Sequence, residues 1–315
     1  MFDTEGLVSF FEEILMQSLG EEREVVDYAL VTGGNVNTAV CLRTGGTLYF
    51  LKFREMEDAD VFEQEAKGLQ LLQAAIREDI VADFENGRSE VGIINDGHLR
   101  IPFVFGYGHT QGYGYLLLEF VESQMPSRYY WRQLGAGLAN LHAHQGPSSG
   151  LRHHNYLGTL LQTNDQEESW PVFWARQRII PMAGKALLDD LIPLKLFKRL
   201  EQLCDLLPEV LPQEGRSLLH GDLWNGNIMP NKQGKPTIFD PSVYYGHREV
   251  DLAMTRLFGG FPTNFYEAYQ EAAPLEPGWT ERMEIYTLYP LLVHVNLFGA
   301  AYIAGVEKVL GRFGV

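Results

Sequence analysis

Cysteine is almost absent from this chain: Cys41 and Cys204 are the only two in 315 residues. Two thiols cannot build a disulfide framework or a zinc cluster of their own, and such sparse usage fits a reducing, cytoplasmic compartment. Basic residues are also short, with Lys+Arg at 25 against Asp+Glu at 41 and a formal net charge of −16. Phosphate backbones draw affinity from Lys and Arg, and anionic bilayers repel an acidic surface. Nucleic-acid and membrane partners are therefore not expected. No basic region followed by an apolar core opens the chain. Instead Leu7, Phe10, Phe11, Ile14 and Leu15 follow helical spacing behind Asp3 or Thr4 as a cap. One long stretch, 285–306, lacks formal charge but holds Pro290, His294, Asn296 and three tyrosines. Such groups are costly in lipid, so it is expected to be a buried helix of a large soluble domain. Repeats and low-complexity segments are missing.

What is present is an ordinary globular composition, 45% hydrophobic and 21% charged, at a length that suggests two domains or lobes. After the N-terminal helix the pattern is β-rich. Candidate strands cover 25–31, 36–43 and 47–53, with Thr44-Gly45-Gly46 as a hairpin signal. A helix is expected over 58–75, with Val61, Phe62, Glu65, Ala66, Leu69 and Leu72 on one face. Residues 77–98 are polar and read as an irregular inserted loop. Two further strands follow over 99–107 and 113–120. From about 128 the pattern turns helical: 130–144, then 170–182 and 185–206. A strand-like island at 218–240 interrupts it, and helices resume after 248. The expectation is an α+β chain with a small β-rich lobe, 1–121, and a larger α-helical lobe, 122–315. Pro126 marks the join.

The segment LLHGDLWNGNIMPNKQGKPTIFDPSVYYGHREVDLAM carries the chemistry. Asp222 follows His220-Gly221, Asn227 stands five positions on, and Asp240 thirteen beyond that. Any one of these alone reads as a turn residue. Together, among apolar Ile228, Ile238 and Phe239, they match a kinase catalytic loop. One Asp faces the acceptor hydroxyl, while an Asn and a second Asp hold Mg²⁺. A carboxylate can take the hydroxyl proton. A neutral amide ligates metal without repelling ATP, and a second carboxylate is a hard ligand for a hard ion.

The first lobe supplies matching partners. Lys52 sits mid-strand among apolar residues, either on an edge strand facing solvent or as a functional cation. Glu65 lies on the helix thirteen residues later. The two match the strand-lysine and helix-glutamate pair that orients ATP phosphates. Gly33-Gly34-Asn35 joins two strands, and its backbone N–H groups are candidates to cover the phosphates. LLLEFVE, 116–122, is the candidate hinge, where the backbone of Glu119 and Val121 could bond an adenine edge. His-Gly-Asp replaces the His-Arg-Asp of protein kinases, and only ten residues separate Asp240 from Asp251. No activation segment fits, so a small-molecule kinase is expected.

HGDLWNGN followed by FDPSVYYGHREVDLAM resembles the fructosamine kinase (ketosamine-3-kinase) family, a branch of the aminoglycoside-phosphotransferase and protein-kinase-like fold. The resemblance extends through VTGGNVNTAVCLR, FLKFRE, FEQEAKGLQLL, HHNYLGTLLQTN, WPVFWARQRI and LYPLLVHVNLFGAAY. It implies that Asp222 is the catalytic base, that Asn227 and Asp240 are Mg²⁺ ligands, and that Lys52 and Glu65 clamp ATP. It also implies that Trp224 and His294 contact the sugar. Asp251 is expected to brace the catalytic loop from the following helix. The family's glycine loop often carries a cysteine where this chain has Asn35, so no redox switch is expected there, nor at Cys41. The implied reaction is ATP-dependent phosphorylation of the C3 hydroxyl of a ketosamine or glycated lysine, with deglycation as the outcome. Two alternatives share part of this pattern: a phosphotransferase for an aminoglycoside or choline-type amine, and an inactive kinase-fold nucleotide binder. A monomer is the expected state.

Overall fold

The structure is a computed structural model and describes residues 4–31, 37–55, 60–85 and 98–315. In chain order it contains α1 (Thr4–Leu19), β1 (Asp27–Leu30), β2 (Thr38–Thr44), β3 (Thr47–Glu55), α2 (Asp60–Glu85), β4 (Val104–Thr110) and β5 (Tyr113–Glu119). These are followed by α3 (Tyr130–Ala143), β6 (Asn155–Leu157), β7 (Leu160–Gln162), α4 (Trp170–Phe173), α5 (Ile180–Leu188), α6 (Leu194–Val210), β8 (Ser217–Leu219), β9 (Ile228–Pro230) and β10 (Pro236–Ile238). The chain ends with β11 (Tyr244–Gly246), α7 (Glu249–Leu257), α8 (Thr263–Ala272), α9 (Trp279–Phe298) and α10 (Ile303–Arg312). The expected α+β class, β-rich first and helical afterwards, is what the structure shows.

Two compact units form. One is Met1–Tyr130 with Met229–Asp240, the other Trp131–Ile228 with Pro241–Val315. The first unit thus also takes in 122–130 and Met229–Asp240, which the sequence pattern groups with the second lobe.

In the first unit the sheet is antiparallel with order β1-β2-β3-β5-β4. Thr44 pairs with Thr47 across Gly45-Gly46, as the hairpin signal predicts. Alternation sorts the strand side chains between two faces. Val40, Leu42, Tyr49, Leu51, Phe53, Tyr115 and Leu117 share a buried cluster with Phe10, Phe11, Ile14 and Leu15 of α1. Phe10 meets Phe53 edge-on at 5.5 Å and Tyr113 at 5.3 Å. Lys52 alternates to the other face, toward α2, whose Phe62, Ala66, Leu69 and Leu72 are fully buried. The helix α2 runs to Glu85, so residues 77–85 are not the loop their polarity suggests. AAIREDIVADFE contains strong helix formers and no Gly or Pro, and propensity outweighs polarity there. The rest of that expected loop, 86–97, lies outside the described residues.

In the second unit, 170–188 is one helical run in which the six residues Trp174–Ile179 take π-helical turns. The break falls between Leu188 and Leu194, not near 182–185. Asp190 adopts φ 55° and Pro193 is extended at the N-cap of α6. The uncharged stretch 285–306 is mostly buried from Ile285 to Val295, but Phe298, Ala300, Ala301 and Ala304 are exposed, and it is not one helix. It ends at Phe298, Gly299 breaks the backbone at φ 84°, and α10 resumes at Ile303. Among the described residues no helix is long and apolar enough to cross a membrane.

Candidate active site

The first unit gathers three of the predicted residues. β3 lies between β2 and β5, so Lys52 is on a central strand, not an edge strand, and only 7% exposed. Its Nζ donates to Glu65 Oε1 at 2.8 Å and also to Asp240 Oδ1. Burial works against the ammonium charge, but the Asp240 and Glu65 carboxylates outweigh it and hold the Lys52 pKa above its ordinary value. Burial, and then repulsion from Asp240, push the Glu65 carboxyl upward, against the pull of Lys52. One cation thus faces two carboxylates.

Asp240 reaches this place because the β9–β10 hairpin is stitched to the first unit. Arg100 N–H donates to Pro236 O and Ile238 N–H to Arg100 O, both at 2.9 Å. Ser127 N–H donates to Gly234 O at 2.9 Å, and Lys232 pairs with Glu122 at 2.9 Å. Asp240 itself sits at φ 58°, a left-handed backbone that Asp tolerates better than most residues and that marks functional sites. Glu119 ends β5 opposite Tyr49. Its N–H donates to Phe103 O at 2.8 Å and its carboxylate pairs with Arg100. Val121 follows two residues on, half-buried. Gly33, Gly34 and Asn35 lie outside the described residues.

The second unit gathers the others. The buried strand β8 delivers His220-Gly221-Asp222. Gly221 is held at φ 82°, and a Cβ there would overlap the Ser242 carbonyl oxygen, so only glycine fits. Asp251 accepts from His220 N–H at 2.7 Å and from Gly221 N–H at 2.8 Å. It braces the loop from α7, as expected. Burial would raise its pKa, but His142, 3.1 Å away, and the loop N–H groups hold it below the ordinary value. Tyr269 OH bonds the other ring nitrogen of His142 at 2.8 Å.

Asn227 Nδ2 donates to both the backbone O and Oδ2 of Asp222, each at 2.8 Å. The amide nitrogen is thus committed to Asp222, and Oδ1 is the only atom of the amide that can ligate a metal. The Trp224 indole folds over Gly226, where a side chain would collide with it. It meets Phe258 at 5.8 Å, edge-on. His294 packs on the same Phe258 at 5.0 Å and on Tyr302 at 4.8 Å. Its Nδ1 lies 2.7 Å from Pro290 O. A carbonyl only accepts, so Nδ1 carries the proton. Burial lowers the His294 pKa, which leaves Nε2 with a lone pair.

Sequence reasoning missed Phe258, the ring that joins Trp224 to His294. An aromatic beside the Gly259-Gly260 pair was the available signal. It also missed the β6–β7 hairpin as a clamp. Asn155 Nδ2 donates to Val243 O at 2.8 Å and Gln162 Nε2 to Ser242 O at 3.2 Å, while Ser242 N–H donates to His220 O at 2.8 Å.

Comparison with known proteins places the chain in a family. The family model described as Fructosamine kinase matches residues 8–89 and 77–313. An Enterococcus faecium protein described as a probable ketoamine kinase is 38% identical over 287 residues, covering 90% of this chain and 94% of that protein. A solved Thermobifida fusca structure described as a fructosamine-3-kinase is 30% identical with TM-score 0.80, covering 95% of this chain and 96% of that one. The aminoglycoside phosphotransferase APH(4)-Ia, solved with ADP and hygromycin B, is 15% identical with TM-score 0.55 over 96% of this chain and 95% of that one. This last likeness is one of fold alone and places the architecture among the kinase-like phosphotransferases. With the family model spanning nearly the whole chain and a relative above 30% identity over nine-tenths of it, this protein is a kinase and belongs to the fructosamine kinase family.

Proposed function

We propose that the protein transfers the γ-phosphoryl group of ATP to the C3 hydroxyl of a ketosamine, a sugar joined to an amine by Amadori chemistry. The ion triad of Lys52, Glu65 and Asp240 carries this reading. Lys52, held by Glu65, is the group for the ATP phosphates, with Glu119 at the end of β5, Val121 two residues beyond it, and the Gly33-Gly34 pair as the rest of the nucleotide site. Asp222 takes the hydroxyl proton, and its carboxylate is oriented by the Asn227 amide. Trp224 offers an indole face to the sugar, and His294 Nε2 offers an acceptor to a sugar hydroxyl.

The residues present fit Mg²⁺. Asp240 is a hard carboxylate ligand, and its side chain is 41% exposed although it pairs with Lys52. Asp240 and Asn227 Oδ1 would hold the ion, which would neutralise charge on the transferring phosphoryl group. The phosphate ester at C3 is prone to β-elimination that releases the amine, so deglycation follows from the chemistry of the product. Two free cysteines whose thiols burial pushes upward, Cys204 to about 12, support a cytoplasmic place.

ATP consumption with fructosyl-, ribulosyl- and erythrulosyl-lysine, run beside an aminoglycoside and choline, tests the reading. Turnover confined to the ketosamines is expected. Turnover of the aminoglycoside or choline alone would overturn it.

A further inference from the structure

In the second unit, a cavity of about 560 Å³ opens between the end of α7, α8 and the start of α9, a size that suits a small ligand. Arg256, Phe261, Tyr266, Glu267, Gln270 and Trp279 line it, and Gly259-Gly260 complete the wall. Arg256 touches Met283 Sδ at 3.5 Å and lies 5.9 Å from the Tyr266 ring. No carboxylate among the described residues is within ion-pair distance of it. In this acidic chain the neighbouring arginines are placed differently: Arg248 is forked onto Glu214 and Arg282 onto Glu249. Glu267 in the same cavity has no ion-pair partner among the described residues either. The cavity therefore holds one open cation, one open anion, and three aromatic rings, Phe261, Tyr266 and Trp279, the last two 6.2 Å apart. That set complements a zwitterion on an aliphatic arm, since guanidinium forks onto a carboxylate and aromatic faces take methylene groups.

Phe258 links this cavity to the sugar side. Its ring meets both Trp224 and His294, and the next two residues of the chain are the cavity wall. One Cα–Cα step is about 3.8 Å, and a lysine side chain extended from C3 of an attached sugar spans on the order of 10 Å. Resting on the kinase reading above, we propose that this cavity binds the free α-amino-acid end of a ketosamine formed on a lysine side chain. Arg256 takes its carboxylate and Glu267 its ammonium. The preferred substrate class is then a ketosamine of the free amino acid, ahead of the same adduct on a lysine inside a protein.

The test compares kcat/KM for fructosyl-lysine with that for its Nα-acetyl amide, which keeps the sugar and arm and removes both head-group charges. The wild type is expected to favour the free amino acid. Arg256→Gln, a change at an exposed side chain whose folding is checked by thermal melting, is expected to shrink that preference by about tenfold, the scale of a hydrogen bond to a charged group. Glu267→Gln should shrink it as well. A wild type with equal kcat/KM for the two substrates, or an Arg256→Gln that slows both alike, overturns the cavity assignment and leaves the kinase reading standing. A wild type that phosphorylates neither of these, nor the ribulosyl and erythrulosyl adducts, overturns the ketosamine reading and the assignment with it.

Discussion

Asp222 is held by its neighbours in a way that separates its chemistry from its packing. Its carboxylate accepts from Asn227, and its own N–H donates to His220 Nδ1 at 3.2 Å. Asp222→Asn keeps the size and removes the proton acceptor. Turnover should fall by ~10²–10⁴, the usual cost of a positioned general base, while ATP binding by titration calorimetry persists. Wild-type turnover in this variant would remove Asp222 from the mechanism. His294 needs a different test, because its ring also fills an aromatic cluster with Phe258, Phe298 and Tyr302. If Nε2 meets the sugar, His294→Ala raises KM for the ketosamine and leaves KM for ATP near its original value. If the ring only packs, the melting temperature drops and the ketosamine kinetics of the folded protein do not change. At this scale the sequence singles out Lys52, Glu65, Asp222, Asn227 and Asp240, since charged and amide residues among apolar neighbours stand out, and the structure joins Lys52 to Glu65 and Asp240 and Asn227 to Asp222. Phe258 did not stand out, because an aromatic beside a turn has no chemistry of its own until another ring lies on it.

The elements owe their functional shape to loops more than to regular structure. The strand-to-loop step at β8 depends on Gly221, whose left-handed backbone lies against the Ser242 carbonyl. Gly221→Ala should destabilise the fold by roughly 1–3 kcal/mol, as overpacking does, and lower kcat through misplacement of Asp222. Urea unfolding and saturating kinetics read the two effects separately. Full turnover in this variant would show that the loop tolerates another backbone. Hairpins and amphipathic helices of the first unit follow the sequence closely, because alternation and turn chemistry are local. The β6–β7 hairpin and the π-helical turns Trp174–Ile179 escaped prediction, because their reasons are distant. The hairpin is fixed by bonds to Ser242 and Val243. Within the π-helical turns, Arg178 is fully buried, stacks on Tyr244 at 4.0 Å, and donates to Asn164 at 2.7 Å.

The fold of the second unit as a whole rests on a buried ionic knot at the start of α7. Glu214, His247 and Glu249 bring ligand atoms within 4.8 Å of one another. Arg248 and Arg282 already neutralise the two carboxylates, so the knot is structural and does not need a metal. His247 is 1% exposed, and burial pushes its pKa down to about 4. An unfolded histidine titrates near 6.5, so between these values the unfolded chain binds more protons than the folded one. Stability from this residue is complete above about pH 6.5 and is lost as the pH falls toward 4, by about 3 kcal/mol at the limit. Urea unfolding at pH 7 and pH 5 should show that loss, and His247→Gln should flatten the slope; an equal slope in both proteins would assign it to other groups. Composition and local periodicity were enough for the α+β class, and the resemblance carried by HGDLWNGN and FDPSVYYGHREVDLAM for the family, because each depends on neighbours in the chain. They could not show that Met229–Asp240 leaves the second unit to join the first. That choice depends on hydrogen bonds from Arg100, Ser127 and Ile238 and on the Lys52–Asp240 ion pair, contacts between residues more than a hundred positions apart that form only when the chain has folded.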